Sequence, residues 1–463
     1  YTYRPNRSIY SLPQQDESKQ DSWRAFLTNN YKDFNTPVTS IKPINKTGAV
    51  FMMKFGSPLQ FMGVEELKLD GTGAKITIGD GALFSGASQL QSIVNADESY
   101  EYGSCQSKYS VLGTSKGVFW VSQSQGKIYN YAGEGLKEIS NNGLKWWFAK
   151  YLHSDLLQVY PDYPLFDNPV KGIGVHCIYD NTNEILYVCK KDYKPLRNDL
   201  VYKSDGSFYV GGNSKVEFTD SRYFENSCWT ASYDTKSETW ISFHDWIPTF
   251  LIPGKAHFMS VNANTIWKHN DRCDSYCNFY NKDYPFEIEF VSSTGQTVNT
   301  VRSVEYLLEV YKYYNDCRDR FHVLDENFDK AMIYNSEQIS GILNLELKQK
   351  NNPLALLDYP VISVNEITIQ YSKEENKYRF NQFWDITKNR GEYNTNASYP
   401  LLNLESNGYK YHVNPNAVNY SKDVLQRKKF RHNVNRVWLS KSVSGNLKFL
   451  FKTSNQKLLQ SFR

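Results

Sequence analysis

The sequence contains no apolar run that approaches the ~20 residues needed for a membrane-spanning helix. Its longer apolar runs are interrupted by proline, glycine or charge within a few residues, which predicts a soluble chain without a membrane span. The chain starts at Tyr1, with neither a methionine nor a charged-then-apolar leader. We therefore expect no signal peptide, and we interpret the start as that of a processed product or of an ordered fragment of a longer chain.

The common signatures of catalytic and metal sites are also missing. No HExxH motif or Cys/His cluster occurs, and the eight histidines show no spacing that presents two ligands on one face. GxSxG, P-loop and strand-following GxGxxG motifs are absent as well. His244 and Asp245 are adjacent, but neighbouring residues of a strand face opposite ways and do not readily share a site. We therefore expect no enzyme, with no catalytic residue, no metal and no cofactor.

Cysteine is sparse and shows no pairing pattern. The seven cysteines are scattered singly, and no second pair joins Cys273 and Cys277 to complete a zinc site. An odd number also leaves one cysteine over from any pairing. We expect free thiols that pack as small apolar residues in a reducing cytoplasm.

Aromatic residues, in contrast, are abundant. The chain has 35 tyrosines, 26 phenylalanines and 10 tryptophans against 5 methionines, and aromatic rings favour strands. Asn, Gly, Ser and Asp residues punctuate them, as expected of many short strands joined by turns. The length of 463 residues is typical of roughly two to four domains, and a hydrophobic fraction of 40% is enough to form cores. The sequence therefore predicts a mainly β protein.

One loop pattern occurs three times. "YDNTNEILYV" and "YDTKSETWIS" both place Tyr-Asp before a polar loop and an apolar run, and "FWVSQSQGKIY" is a looser copy. We predict that residues 122–126, 180–184 and 234–238 are hairpin loops. Asp180 and Asp234 would be structural anchors, because an Asp carboxylate can accept hydrogen bonds from the backbone amides just ahead of it.

The spacing of these loops favours a β-propeller of multi-stranded antiparallel blades. Their starts lie 58 and 54 residues apart, near the ~40–50 residues of common propeller blades. Further hairpins are predicted around Ser204-Asp205-Gly206 and at residues 262–264, so each repeat contains more than one hairpin, as a blade of four strands requires. A β-sandwich also spaces short strands with turns, but it gives no reason for a repeated loop.

The extra length of the first repeat predicts one inserted helix. It lies in "NNGLKWWFAKYLHSDLLQVYP", with an Asn-Asn start and a stop at Pro161. One helical face would carry Leu144, Trp147, Phe148, Tyr151, Leu152, Leu156 and Val159. After the third loop, "WISFHDWIPTFLI" concentrates aromatic residues, and we interpret Trp240 and Trp246 as packing anchors between blades.

Pattern changes along the chain divide it into three regions. Residues 1–48 are predicted to be an N-terminal arm or linker, and residues 49–290 the propeller blades. Residues 291–463 are a further β-rich region that completes the propeller, forms a separate β domain, or does both, and that ends in a basic segment. Within it, "VRSVEYLLEVYKYY" would also suit a helix, but its β-branched and aromatic content favours a strand.

Charge is distributed unevenly. From Ser421 onward the chain carries 11 Lys and Arg against one Asp, whereas the first 420 residues carry 42 basic and 48 acidic groups. Such asymmetry predicts a basic segment that meets phosphate or an acidic neighbour, although a purely solvated basic surface is the alternative. The candidate residues for contact with DNA or with another subunit are Arg427, Lys428, Lys429, Arg431 and Arg436.

Three longer stretches carry a resemblance to a known family. "GVFWVSQSQGKIYNYAGEGLKEISNNGLKWWF", "YDTKSETWISFHDWIP" and "KYRFNQFWDIT" together resemble phage tail nozzle proteins, in particular the muzzle proteins of crAss-like podoviruses. The similarity covers most of the chain from about Ala49 onward and rests on the order of the motifs. The family has no catalytic residues to transfer to this sequence.

The resemblance implies a virion structural protein. It would form the distal six-fold ring of a short tail, a homo-hexamer of propeller-containing subunits that lines or closes the DNA exit channel during genome retention and ejection. Its partners would be other tail proteins (tube or ring proteins, fibres), phage DNA in the lumen and an N-terminal fragment of the same precursor. Assembly in the host bacterial cytoplasm would precede its location in the virion tail.

Two other classes of function remain as alternatives. A carbohydrate-binding or glycoside-hydrolysing β-propeller would use exposed Trp and Tyr side chains to stack on sugars. A scaffold propeller of the cell is a third, weaker alternative.

Overall fold

The computed structural model divides into two compact units, Tyr1–Asp271 and Arg272–Arg463. The chain is mainly β, as the composition predicted. The structure describes residues 3–11, 24–44, 48–62, 67–68, 75–76, 90–93, 103–133, 135–271, 276–293, 297–314, 319–348, 361–362, 367–383, 385, 401–404, 409–412, 429–442, 447–452 and 458–460.

The first unit contains 24 of the described strands and two short α-helices. They are β1 (Arg7–Ile9), β2 (Tyr31–Asp33), β3 (Val38–Pro43), β4 (Gly48–Met53), β5 (Leu59–Met62), β6 (Leu67–Lys68), β7 (Lys75–Ile76), β8 (Leu90–Ser92), β9 (Leu112–Thr114), β10 (Gly117–Ser122), β11 (Lys127–Ala132), β12 (Gly135–Glu138), α1 (Lys145–Tyr151), α2 (Asp155–Val159), β13 (Gly174–Asp180), β14 (Ile185–Lys191), β15 (Tyr193–Pro195), β16 (Leu200–Tyr202), β17 (Phe208–Val210), β18 (Ser214–Val216), β19 (Phe224–Asn226), β20 (Trp229–Asp234), β21 (Thr239–His244), β22 (Phe250–Ile252), β23 (Met259–Asn262) and β24 (Thr265–Lys268).

The second unit contains the remaining described strands. They are β25 (Asn278–Phe279), β26 (Lys282–Asp283), β27 (Phe286–Ser293), β28 (Asn299–Val301), β29 (Val304–Tyr314), β30 (Asp319–His322), β31 (Lys330–Tyr334), β32 (Leu343–Leu347), β33 (Val361–Ile362), β34 (Ile367–Glu374), β35 (Lys377–Phe380), β36 (Leu401–Leu404), β37 (Tyr409–His412), β38 (Phe430–His432), β39 (Val434–Lys441), β40 (Leu447–Lys452) and β41 (Leu458–Gln460).

Small antiparallel sheets build the first unit. Three of them have four strands, in the orders β3-β4-β5-β8, β12-β11-β10-β9 and β13-β14-β20-β21. The hairpins predicted around Ser204-Asp205-Gly206 and at residues 262–264 are confirmed as β16–β17 and β23–β24. Strand β3 lies inside the segment that was expected to be an arm or linker, where it pairs with β4.

The three repeated loops share one backbone geometry. In each, four residues connect the last paired positions of an antiparallel hairpin. The fourth of these residues has a positive φ: 66° at Gly126, 58° at Glu184 and 53° at Glu238. A glutamate is uncommon in this left-handed region, because its Cβ crowds the following carbonyl oxygen. The predicted repetition is therefore confirmed at the level of the loop.

The arrangement of the loops differs from the prediction. Residues 180–184 and 234–238 are not the tips of separate sheets, because Ile185 pairs with Asp234 and both hairpins lie side by side in the sheet β13-β14-β20-β21. The two loops touch, since Thr235 Oγ1 donates a hydrogen bond of 2.8 Å to the carbonyl oxygen of Glu184. The propeller prediction made each repeated loop the tip of its own blade, and this is wrong for residues 180–184 and 234–238. The two loops are 54 residues apart in sequence because the chain forms β15 to β19 between β14 and β20, which are neighbours in the sheet.

The single inserted helix predicted from the sequence is two helices. α1 ends at Tyr151 and α2 begins at Asp155, after Ser154 has accepted a hydrogen bond of 3.3 Å from the Leu157 amide. Of the predicted apolar face, Phe148, Leu152 and Leu156 are fully buried, whereas Tyr151 is 42% exposed and Val159 is 49% exposed.

A buried ion pair holds both helices to the sheet. Lys190 of β14 is 1% exposed, and its Nζ donates hydrogen bonds to the carbonyl oxygens of Tyr151, at 2.9 Å, and His153. The same Nζ lies 3.0 Å from Asp192 Oδ2, which accepts a hydrogen bond of 2.7 Å from the Asp155 amide. Burial raises the pKa of the Asp192 carboxyl, and the neighbouring ammonium opposes that shift. The end of α1 and the start of α2 are thus joined through one charged pair.

We predict that Lys190→Met destabilises the chain by about 3–5 kcal/mol, because it leaves Asp192 as a buried charge without its cation and removes the Lys190 donor from the carbonyl oxygens of Tyr151 and His153. Urea unfolding followed by circular dichroism measures the change. Lys194→Met is the matched control, since the Lys194 side chain is 56% exposed and its ion pair with Glu225 lies at the surface. Equal losses in the two variants would contradict this role of Lys190.

A layer of buried histidines covers the other face of the sheet β13-β14-β20-β21. His244 Nε2 lies 3.0 Å from Ser232 Oγ, and His269 Nε2 lies 2.7 Å from Ser260 Oγ. His176 is 1% exposed, and neither ring nitrogen has a hydrogen-bond partner among the described residues. Burial lowers the pKa of His176 to about 3, so the folded chain holds this ring neutral.

The low pKa of His176 predicts acid sensitivity. Because the folded-state pKa lies below that of the unfolded chain, the contribution of His176 to stability is complete above pH ~6.5 and is lost as the pH falls towards 3. We expect His176→Leu to be as stable as the parent or more stable at neutral pH, and to show a smaller loss of stability between pH ~7 and ~5 in urea titrations. The control His322→Leu, at an exposed position, should keep the parent's pH dependence.

One large sheet forms the core of the second unit. Its main path runs β27-β39-β31-β32-β34-β35-β29-β40-β41, and it curls into a half-barrel. The stretch that also suited a helix is confirmed as a strand, because Val304, Tyr306, Leu308 and Val310 of β29 are buried in alternation. β27 crosses the predicted division at residue 290 and pairs along its length with β39.

Candidate interaction site

The basic segment predicted to contact DNA or another subunit lies at β38 and the start of β39. Lys429 directly precedes β38, Arg431 lies within it, and Arg436 lies on β39. Arg427 and Lys428 lie outside the described residues. β38 pairs with β28, and β39 lies between β27 and β31 in the large sheet.

Strand alternation turns two of these side chains outward. Phe430 is fully buried against Phe383, with 5.9 Å between the ring centroids. Since successive side chains of a strand point to opposite faces, Lys429 and Arg431 on either side of Phe430 share the outer face and are exposed. Their Cα atoms are ~6.7 Å apart in an extended strand. Because the Phe430 ring is buried, the Lys429 and Arg431 side chains lie together on the exposed face.

Buried polar groups hold the backbone of this segment. The Arg431 amide donates a hydrogen bond of 2.7 Å to Gln338 Oε1, and Gln338 Nε2 donates one of 3.2 Å to the Lys429 carbonyl oxygen. Gln338 Nε2 also donates to Asp385 Oδ2 at 3.1 Å. Gln338 is 6% exposed and Asp385 is fully buried. The two cations therefore project from a backbone fixed on both sides of Phe430.

Arg436 differs from the other two described cations. Its Nη1 lies 2.8 Å from Glu289 Oε1, and this hydrogen bond raises the pKa of the Arg436 guanidinium. Within the part of the chain that the structure describes, neither Lys429 nor Arg431 forms an ion pair. The uncompensated positive charge of the described site is therefore that of Lys429 and Arg431 alone.

The two predicted aspartate anchors occupy equivalent loop positions but differ in burial. Asp180 is 1% exposed, and its carboxylate accepts hydrogen bonds from the amides of Thr182, at 3.0 Å, and Asn183, at 3.3 Å, and from Asn270 Nδ2, at 2.6 Å. Asp234 accepts from the Lys236 amide at 2.9 Å and, through its second oxygen, from a serine hydroxyl. Asp180 thus fixes its own loop and also residue 270 at the end of the first unit.

We expect Asp180→Ala to destabilise the chain more than Asp234→Ala, which is its matched control. Removing the Asp180 carboxylate leaves buried donors without an acceptor and should cost about 2–3 kcal/mol, whereas the half-buried Asp234 should cost about 1 kcal/mol. Urea unfolding of both variants gives the comparison. Equal costs would show that the bond to Asn270 contributes nothing to stability.

The predicted tryptophan anchors make internal contacts. Trp240 Nε1 donates a hydrogen bond of 3.0 Å to the Ile139 carbonyl oxygen, just beyond β12, and so connects two four-stranded sheets. Trp246 is 2% exposed and lies 5.1 Å from the His269 ring centroid. Its carbonyl oxygen accepts a hydrogen bond of 2.8 Å from Thr230 Oγ1.

Sequence reasoning did not find three groups that shape these sites. Gln338 and Asp385 lie far from Arg431 along the chain, and Glu289 precedes Arg436 by 147 residues. Short-range patterns carry no signal for such pairs. Among the residues that the structure describes, no group of three or more His, Cys, Asp or Glu side chains could hold a metal ion, and no helix is long and apolar enough to cross a membrane.

Comparison with known families gives a match to part of the chain. The family model described as Crassvirus muzzle protein matches residues 1–204. The predicted resemblance to a crAss-like phage muzzle protein is thereby confirmed. The matched range includes residues 1–48, which lie before the expected start of the similarity. No curated protein matches the chain.

Proposed function

Because residues 1–204 match the muzzle proteins of crassviruses, which implies a structural role in the virion tail, we propose that this chain forms the distal ring of a short phage tail. The ring would be a homo-hexamer that lines or closes the DNA exit channel while the genome is retained and during its ejection. The family match is the observation that carries this proposal.

Two features of the described residues support it. Lys429 and Arg431 offer paired, uncompensated cations that suit either DNA phosphates or an acidic surface of a neighbour. The antiparallel four-stranded sheets of the first unit have the size of propeller blades, and we retain a propeller as the proposed architecture of that unit. Many small sheets with buried aromatic cores suit a rigid part that withstands the pressure of packaged DNA.

The proposal includes partners. Other tail proteins, such as tube or ring proteins and fibres, would contact the ring, and phage DNA would occupy its lumen. Assembly would take place in the cytoplasm of the host bacterium.

Electron microscopy of virions with a gold-labelled antibody against this chain, together with native mass spectrometry of the full chain, tests the assignment. We expect label at the tail tip and a six-subunit ring. Label elsewhere on the particle, or a chain that stays monomeric at every concentration, would reject it.

The paired cations provide a test of how the ring forms. We expect Lys429→Glu combined with Arg431→Glu to block ring assembly, because charge reversal turns an attraction to an acidic neighbour into repulsion. The variant could instead assemble into rings but bind duplex DNA with a weaker salt dependence than the parent, by about two phosphate contacts. That result would assign Lys429 and Arg431 to DNA binding.

A matched control is available for this variant. Lys330→Glu combined with Arg379→Glu makes the same change of charge at two exposed positions of the large sheet of the second unit, away from the sheet β28-β38. It should leave both assembly and DNA binding as in the parent chain.

A further inference from the structure

The outer strand β21 leaves apolar side chains exposed. It lies at the edge of the sheet β13-β14-β20-β21, and its sequence TWISFH contains no Lys, Arg, Asp, Glu or Pro. Natural proteins usually protect free edges with such residues or with bulges. β21 has only a bulge, at Ile241, which is 37% exposed, and the nearby Phe243 is 39% exposed.

Helix α1 extends this surface with aromatic rings and positive charge. Trp147 packs between Phe243, at 4.7 Å between ring centroids, and Tyr151, at 5.2 Å. Trp146 is 82% exposed, and Tyr151 is 42% exposed. We call Trp146, Trp147, Tyr151, Ile241 and Phe243 the aromatic surface.

Two lysines flank the aromatic surface. Lys145 Nζ lies 5.8 Å from the Trp146 ring centroid, and Lys150 Nζ lies 4.8 Å from that of Tyr151. Residues 141–154 contain no carboxylate side chain. A partner of this surface would therefore be apolar in part and acidic in part, and clustered exposed aromatic residues are typical of protein contacts.

The second unit carries a surface with this complementary chemistry. β27 lies at the end of the main path of the large sheet, and among the described strands it pairs along one edge only, with β39. Since Phe286 is buried, alternation places Glu287, Glu289 and Val291 together on the outer face, where Val291 is 46% exposed. Glu289 is paired with Arg436, whereas Glu287 forms no ion pair with any described residue. We call these three residues the acidic edge.

We propose that the aromatic surface of one copy binds the acidic edge of a neighbouring copy in the tail ring. This inference rests on the proposed function, which requires contacts between copies. The two surfaces belong to different parts of the chain, so the contact is head-to-tail and generates a ring when its rotation closes. Like charges disfavour contact of the acidic edge with itself, which opposes a two-fold dimer.

The aromatic surface is large enough to form part of an interface between two copies. Aromatic side chains bury ~150–250 Å² each, and Trp146 is 82%, Tyr151 42% and Phe243 39% exposed, so the three would supply roughly 250–400 Å² of the about 800 Å² that a stable interface needs from each partner. Exposed Trp and Tyr residues at the centre of an interface contribute most of the binding energy.

Substitution of Trp146 tests the aromatic part of the contact in the full chain. Its side chain is almost fully exposed, so Trp146→Ala should leave the fold intact, as circular dichroism would verify. We expect a roughly tenfold or larger loss in the affinity of ring assembly, measured by sedimentation velocity over a concentration series. Ile266→Ala is the control, because Ile266 is 63% exposed on another edge strand of the first unit. This variant should assemble as the parent does.

Charge exchange tests the pairing of the two surfaces. We expect Lys145→Glu with Lys150→Glu to weaken assembly, and the addition of Glu287→Lys to restore most of it. Assembly that is unchanged in Trp146→Ala and in the double lysine variant would overturn this contact while leaving the ring proposal intact. A Trp146 effect without rescue by Glu287→Lys would reject the acidic edge as the partner. A parent chain that never assembles would reject the ring itself.

Discussion

The contact between Lys190 and Asp192 is the constraint on which the helical part of the first unit depends. One ammonium group satisfies carbonyl oxygens at the end of α1, and its carboxylate partner satisfies amides at the start of α2. These are the backbone groups that helix ends leave without partners. Because α1 is held in this way, Phe148 is fully buried and Trp147 packs beside Trp229 and Phe243 at the rim of the sheet.

Local chemistry explains which parts of the fold could be predicted from the sequence. The three Asp- or Ser-headed loops, the hairpin at Ser204-Asp205-Gly206 and the strand character of β29 were predictable, because each depends on turn residues or on alternation within a few positions. The break between α1 and α2 was missed although Ser154, which accepts from the Leu157 amide, is a local N-cap signal, and the Asp192 contact that also fixes the start of α2 is remote in sequence. The pairing of β14 with β20 was missed for the same reason, and it placed two loops in one sheet.

The candidate site shows the same limit. The sequence indicated a basic segment, and alternation around Phe430 predicts which side chains point outward. It did not indicate that Glu289 pairs with Arg436, or that Gln338 holds the backbone at Lys429 and Arg431. The contact of Glu289 with Arg436 depends on β39 lying next to β27, a pairing between strands that are far apart in the chain, and Gln338 is likewise remote in sequence from Lys429 and Arg431. The radial arrangement of propeller blades stays a prediction.

The position of β39 has a consequence for synthesis of the chain. Ser293, at the end of β27, pairs with Val434, which the ribosome adds 141 residues later, roughly 7 to 28 s at ~5–20 residues per second. Hairpins of the first unit join neighbouring segments and can close soon after they emerge. β27 and β31 must wait for β39, so both present unpaired backbone to the nascent chain and to other chains during that interval. Translation speed and chaperone binding between residues 293 and 434 would therefore control the yield of correctly folded subunits.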